Sequence, residues 1–460
     1  MVGRQGEACR LSLALPPEWK VAVGLDPVGT SATEYTAPDY DVLADNPVTA
    51  GDFLDLHYTS HDKPITIALR GELRTKVDAT KIVKLCQTIS DFEGEFFGGL
   101  PFPKYVWHFA VFDSEDGGGG LEHLSSTQVA LAKGVGPVAA RVCAHEFFHL
   151  WNVKRIRSKP LGPFDYTRLP KTGALYWMEG VTDYYASLLL LRSGYLGEES
   201  FLTDLADNLR RARSNPARLE VSAEEASLRV GEANDGCGSG DGWRVSFYDR
   251  GWLAALCLDV DLRTRTNGGR SLDDVELALW SLCKEGQPGF AEGEIEKQYV
   301  RAGGSADLFE SVVAKPGELP VEAALDALGL RVERSERSFV DKGFDTSTTV
   351  GSPKIAVDSL RPFAVAAGLA DGDVLLDVNG QTVLGTTMGE SLAKMAAALG
   401  TVKAGDTLRL KVDRAGGAKE LAVTAVTATA PIVKIVADEA ADAKRRELRR
   451  RLEGGTPRNR

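Results

Sequence analysis

The sequence predicts an α+β chain of more than one domain, with a central unit of mixed sheet plus helices followed by a β-rich C-terminal domain. Two patterns carry this. From about residue 56 to 325, strand-like runs at 64–71 and 104–112 alternate with long helical runs, one near 77–97, then VAARVCAHEFFHLWNV and ALYWMEGVTDYYASLLLLRSG, then 247–264, 272–284 and 320–328. From Gly329 onward LRVERSERSFV alternates, and VDSLRPFAVAAGLADGDVLLDVNGQTV and TLRLKVDRAGGAKELAVTAV supply short strands separated by Gly, Asp and Asn turns.

A chain of 460 residues has room for two or three domains with a large core, and 43% hydrophobic with 26% charged residues is globular composition. The net charge of -11 argues against a nucleic-acid partner, because no basic face dominates. No apolar run approaches eighteen residues, so no transmembrane segment is expected. The six cysteines lack close metal-type spacing; Cys86, Cys143, Cys257 and Cys283 fall in apolar helical patterns as small core residues. MVGRQGEACRLSLALPPEWK has no basic n-region followed by an apolar h-region, which makes a cytoplasmic location the default expectation.

Chemistry concentrates in the central unit. In CAHEFFHLW, His145 and His149 lie four apart, so a helix stacks both imidazoles on one face, within reach of a single Zn²⁺ at about 2.0–2.1 Å. Glu146, beside the first histidine, is then placed to take a proton from a zinc-acidified water. The same helical spacing assigns Val138, Val142 and Phe148 to the packed side. A catalytic zinc needs a third protein ligand. Glu179 is a lone carboxylate among Trp177, Met178 and Val181, expensive to bury unless it is paired or bound to metal. Asp183, one turn later, is either an exposed helix aspartate or the acceptor for the second ring N–H of a liganding histidine.

Upstream, KYVWHFAVF reads as a strand, and the Gly-rich DGGGGLEHLSSTQVAL as a turn leading into a second extended segment. Downstream, GEANDGCGSGDGW at 231–243 reads as a surface loop or a lid over the cleft. Lys154, Arg155 and Arg157 form a basic cluster that either attracts a peptide carboxylate or, the favoured reading, pairs with acidic residues of the same domain. After Val436 the chain becomes a charged helical run, ADEAADAKRRELRRRLEGG, read as a solvated helix face.

HEFFHLWNVKRIR, PFDY at 163–166 and WMEGVTDYY resemble the M61 glycyl aminopeptidases, gluzincins with a thermolysin-like catalytic domain and a C-terminal PDZ domain. The resemblance runs from about Tyr40 into the last domain. It implies that His145, His149 and Glu179 bind one zinc and that Glu146 is the general base. GGLEH at 119–123 is similar to the G-x-M-E-N motif of the related M1 aminopeptidases, whose glutamate binds the free α-amino group of the substrate; this implies substrate binding by Glu122 with Gly119 and Gly120. The competing reading of Glu122 is a surface glutamate on an edge strand, and His123 departs from the motif's asparagine. VSFYDRGW resembles the family's Y-x-K-G segment, which makes Tyr248 an oxyanion donor or else a structural tyrosine, with Arg250 in place of lysine and Asp249 or Arg250 open to solvent.

The resemblance also implies four segments: a remnant of a larger N-terminal β domain at 1–55, with an unpaired sheet edge or exposed core, a catalytic domain at 56–325, a PDZ-like domain at 329–430, and a charged tail at 431–460. AGLADGDVLLDVNG at 367–380 looks like a PDZ core, whose carboxylate-binding loop falls near Lys342–Thr346 and implies a peptide C-terminus as a possible partner. The expected activity is zinc-dependent removal of N-terminal residues from peptides, small ones such as Gly or Ala by family resemblance. The alternatives are a zinc endopeptidase of the same clan and an inactive peptide-binding scaffold.

Overall fold

The computed structural model describes residues 3–112, 118–131, 135–162, 165–231, 245–284, 289–349 and 352–454. Two units divide the chain, one of residues 1–333 with 433–460 and one of residues 334–432.

In the larger unit the strand pattern at 63–70 puts Ile65, Ile67 and Leu69 on one face, where all three are fully buried. That strand, β2 (Lys63–Arg70), pairs antiparallel with β1 (Leu54–Ser60) and parallel with β3 (Tyr105–Val111). The parallel step needs a crossover, supplied by helix α1 (Ala79–Phe97), which starts on an Asp78 side-chain cap and stops at Gly98 in the left-handed conformation. Strand β3 is buried on both faces. Tyr105, Trp107, Phe109 and Val111 join the main core, whereas Val106 packs with Ala22 and Phe53 of the N-terminal segment. After β4 (Gly120–Glu122), strand β5 (Ser126–Leu131) runs parallel to β3, and β4 folds back antiparallel on β5, so the sheet order is β1-β2-β3-β5-β4 with β4 at the edge.

Helix α2 (Pro137–Phe148) is held between this sheet and the neighbouring helices by the two phenylalanines between its histidines. Phe147 stacks on Trp107 at 5.3 Å, and Phe148 stacks on Tyr185 of α3 (Thr182–Arg192) at 4.9 Å. Such pairs add about 0.5–1.5 kcal/mol each beyond area burial. Phe97 lies flat on Trp151 at 4.4 Å, fastening α1 to the chain just after α2. Next come α4 (Glu198–Ser214), α5 (Ala223–Leu228), α6 (Phe247–Arg265), α7 (Leu272–Cys283) and α8 (Glu294–Arg301). Cys86, Cys143, Cys257 and Cys283 are all buried and free.

Residues 9–51 form short paired strands and a one-turn helix, Tyr40–Ala44, capped by Asp39. The charged run near the C-terminus keeps Lys444, Arg446 and Arg450 in solvent as read, but its other side is packed. Helix α10 (Ala443–Gly454; α9 lies in the smaller unit) buries Leu448 and Leu452, donates an ion pair from Arg449 to Glu198, and offers the Leu452 and Arg451 carbonyls to Arg192 and Arg263. Two leucines four apart are a short apolar stripe that the surrounding arginines masked in the sequence pattern. No helix among the described residues is long and apolar enough to cross a membrane.

The smaller unit is an antiparallel sheet in the order β6 (Asp345–Thr348), β7 (Ile355–Asp358), β8 (Val374–Val378), β9 (Thr407–Arg414), β10 (Gly417–Thr424), with helix α9 (Met388–Gly400). Its core is aliphatic, led by Val357, Leu375, Val378, Leu408, Val412 and Val423. Its one buried charge among the described residues, Asp373, accepts two hydrogen bonds of 2.6 Å from Arg414, which outweigh burial and hold its carboxyl below the usual range.

Candidate metal centre and cleft

The i, i+4 spacing on α2 brings the Nε2 atoms of His145 and His149 to 2.8 Å from each other. A Glu179 carboxylate oxygen lies 3.2 Å from the first and 3.3 Å from the second. The other ring nitrogens decide the tautomers. His149 Nδ1, 2.6 Å from the Asn152 carbonyl, must donate there, and His145 Nδ1 donates to Asp183 at 2.8 Å. In the neutral rings both Nε2 atoms are therefore bare lone pairs, aimed at each other and at a carboxylate, an arrangement that a shared cation satisfies. Two imidazoles and one carboxylate are a donor set that suits zinc. Burial works against charge on both imidazoles; Asp183 and Glu179 nevertheless hold His145 well above its ordinary value, and Glu179 raises His149. Burial likewise opposes the Glu179 carboxylate, but the two histidines hold it well below the usual range.

Glu179 does not sit in an ordinary helix turn. Tyr176–Val181 is wound as a π-helix leading into α3, a form that is rare and appears mostly as single turns, often near functional sites. Its position is set by close packing on α6. A Cβ added to Gly251 would lie 2.4 Å from the Tyr176 carbonyl oxygen, and one added to Gly180 would lie 2.6 Å from the Gly251 Cα. Two glycines facing each other let the backbones touch.

The cleft beside these donors has a cavity of about 410 Å³ lined by Gly119, Gly120, Val138, His145, Glu146, Asp183, Tyr248 and others. Val138, expected on the packed side, is instead 51% exposed at the cleft wall. Glu146 is buried, and burial pushes its carboxyl up to about 7 against the pull of His149 and His145. Gly120 of edge strand β4 touches it: a Cβ there would lie 2.3 Å from Glu146 Cγ, whereas Gly119 has open space. Glu122 converges on the same point, one of its carboxylate oxygens, one of Glu146 and a ring nitrogen of His149 all lying within 4.8 Å of one another. The Tyr248 ring stands 6.2 Å from that of His145. The structure thus gathers all nine residues singled out in the sequence, although the proposed lid at 231–243 and Pro163–Phe164 of PFDY lie almost wholly outside the described residues.

Family models match residues 139–254 as M61 glycyl aminopeptidase, residues 1–52 as the M61 N-terminal domain and residues 327–425 as a PDZ domain. The chain carries an M61 peptidase domain at residues 139–254. It is similar in fold to an aminopeptidase N family protein from Idiomarina loihiensis, with a TM-score of 0.76 and 23% identity over 99% of this chain and 80% of that one. An M1 zinc metallopeptidase from Deinococcus radiodurans aligns with a TM-score of 0.43 and 14% identity over 68% of this chain and 65% of its own length. No curated protein matches.

Several residues that shape the site escaped the sequence reading. Asn152, fully buried, orients His149 through its carbonyl, while its amide donates to the Trp177 carbonyl and to Thr182 Oγ1, each at 3.0 Å, tying the end of α2 to the π-helical turn. Its signal was its place three residues after the second histidine. Asp45, from the N-terminal segment, accepts from Lys154 at 2.9 Å and from the Leu124 N–H at 2.7 Å; Lys154 stands a further 3.9 Å from Glu122. No local pattern announces a contact across 109 residues. Lys154 therefore pairs with acids as expected, but Arg155 donates instead to the carbonyls of Leu150, Pro101 and Leu124. Arg250, read as open to solvent, is 3% exposed and is held by the carbonyls of Arg218, Gly317 and Lys315.

Proposed function

We propose that this M61 peptidase is an aminopeptidase that removes N-terminal residues from peptides, with one zinc per chain held by His145, His149 and Glu179. The convergence of Glu122 on Glu146 and His149 carries the reading. The α-amino nitrogen and carbonyl carbon of one residue are only two bonds apart, so an ammonium on Glu122 leaves the first peptide carbonyl beside Glu146. When bound, zinc supplies a Lewis acid that polarises this carbonyl and acidifies water.

Glu146 takes the proton of the attacking water and passes it to the leaving amine, a role suited to a carboxyl that burial raises to about 7. Asp183 and the Asn152 carbonyl keep the Nδ1 protons on the two histidines and so keep their Nε2 lone pairs turned inward. Tyr248 donates its O–H to the developing oxyanion. The free edge of β4 pairs with the substrate backbone, and the touch between Gly120 and Glu146 leaves no room for a side chain at that point of the strand. A preference for small first residues, Gly or Ala, is supported by the description of the matched family alone. The β6 edge of the PDZ unit is the corresponding place for a peptide C-terminus.

Release of a fluorescent amine from glycyl and alanyl amides tests the reading. Turnover should need zinc, fall by about 10²–10⁴ in Glu146→Gln with zinc still bound, and disappear for N-acetylated amides. Equal cleavage of blocked and free substrates would make the protein an endopeptidase. A folded, zinc-loaded chain that turns over neither would make it a scaffold.

A further inference from the structure

A second cavity, of about 190 Å³, is bounded by residues that the proposed chemistry does not use. Its floor is apolar and aromatic: Tyr176, Phe290, Ile295, Phe309 and Val313 line it, and all are buried. Three carboxylates stand around it, Glu224 on α5, Glu292 just before α8 and Glu296 on α8. None of them forms an ion pair among the described residues, although elsewhere in this chain acids are paired repeatedly. Lys171 is the one cation among the described lining residues and is not within ion-pair distance of any of the three. Burial, and then the charges of Glu292 and Glu296, push the Glu224 carboxyl above its usual range, so the three acids feel one another.

The second observation is Tyr176. This residue is 4% exposed and lines the cavity, yet among the described residues its hydroxyl has no hydrogen-bond partner, while its backbone N–H is satisfied by Ser227. The hydroxyl of so buried a tyrosine normally finds a partner, and here it opens on the cavity. Burial, with Glu224 and Glu296 adding to it, raises its pKa well above the ordinary value, so it stays a neutral hydroxyl with lone pairs to offer. An aromatic floor, an acceptor hydroxyl and surplus negative charge at the rim together describe the complement of a cation carried on an apolar body.

We propose that this cavity is a binding site for an alkyl- or arylalkyl-ammonium group, separate from the catalytic cleft. The ammonium meets Glu224, Glu296 and the Tyr176 hydroxyl, and the apolar body lies against Phe290 and Phe309. The same chemistry is offered by a free amine and by a lysine side chain. Because Tyr176 opens the π-helical turn that carries Glu179, occupancy bears on the segment that holds the third metal ligand.

Calorimetric titration of the full chain with phenethylammonium, set against its neutral isostere 2-phenylethanol, tests the site. Phenethylammonium should bind with a stoichiometry of one and at least about tenfold more tightly than the alcohol, the ratio expected from one charge-assisted contact. The double variant Glu224→Gln/Glu296→Gln should lose at least that factor. Tyr176→Phe, which keeps the buried ring, should weaken binding several-fold and decides the matter if the double variant does not fold. Glu122→Gln should leave this binding unchanged, so the result stands whether or not the aminopeptidase reading does. Titration with lysine blocked at both termini separates the sources: binding equal to that of phenethylammonium assigns the site to a peptide side chain, and weaker binding assigns it to a free amine. Loss of binding in Glu122→Gln with retention in the double variant would place the amine in the catalytic cleft and overturn the proposal. So would an alcohol that binds as well as the amine, or no saturable heat at all.

Discussion

The helix that carries His145 and His149 is regular, and its geometry follows from four-residue spacing alone, whereas the turn that carries Glu179 is wound as a π-helix and takes its shape from what packs on it. On α2 the two donors are neighbours because 3.6 residues make a turn. At Glu179 the wider turn is held by the Gly180–Gly251 contact, by the Asn152 bonds to Trp177 and Thr182, and by Trp177 Nε1 donating to Glu276 at 3.0 Å. The metal centre thus joins a locally determined pair to a ligand set by tertiary contacts. Damage to the supports should therefore act on one ligand and spare the other two.

The sharpest way to break this division is Gly251→Ala. Its methyl meets the Tyr176 carbonyl oxygen, a backbone atom that cannot swing aside, so we expect a loss of about 1–3 kcal/mol of stability from overpacking and a marked drop in zinc affinity by chelator competition. The same methyl at Gly120 meets only the side chain of Glu146. Gly120→Ala should keep its zinc and lose turnover, and zinc loss there would erase the distinction.

Asn152→Ala removes both ties to the turn while leaving the carbonyl that orients His149. Zinc affinity should fall about 10- to 100-fold, the range for partners that orient ligands, with an unchanged far-ultraviolet spectrum; unaltered affinity would mean that the turn holds itself.

The last test works through Glu276, whose second oxygen is buried without a partner. Burial pushes its carboxyl up to about 8, against the pull of the Trp177 N–H. In the unfolded chain a glutamate titrates near 4.3, so between that value and about 8 folding takes up a proton and stability declines as pH rises; below this window there is no such penalty, and above it the penalty is constant. Glu276→Gln keeps an acceptor for Trp177 and escapes the penalty. Its melting temperature should exceed that of the parent by an amount that grows from pH 5 to 8, for a gain on the order of 3 kcal/mol at the upper end. A difference independent of pH would show that Glu276 keeps its charge when buried.

Much of the fold was legible. The helices near 77–97, 247–264 and 272–284 and the strands at 64–71 and 104–112 appear within a residue or two of where periodicity puts them, because apolar faces of that length have one way to be buried. Short or charge-diluted signals were lost instead: the two leucines of α10, the exposure of Val138, and the burial of Arg250, whose guanidinium is satisfied by carbonyls that no side-chain pattern reveals.

By itself the sequence determined the paired histidines with Glu146 between them, the carboxylate character of the third donor, the glycine-rich strand with Glu122, and the β domain that follows, since each depends on residue type and short-range spacing. Only the tertiary structure decided that Glu179 reaches the histidines through a π-helical turn, that Asn152 and Gly251 hold it there, and that Asp45 from the N-terminal segment holds the lysine beside Glu122. The reason is physical: a helix turn specifies neighbours three and four apart, whereas the distance between two helices is set by which side chains are absent where their backbones meet.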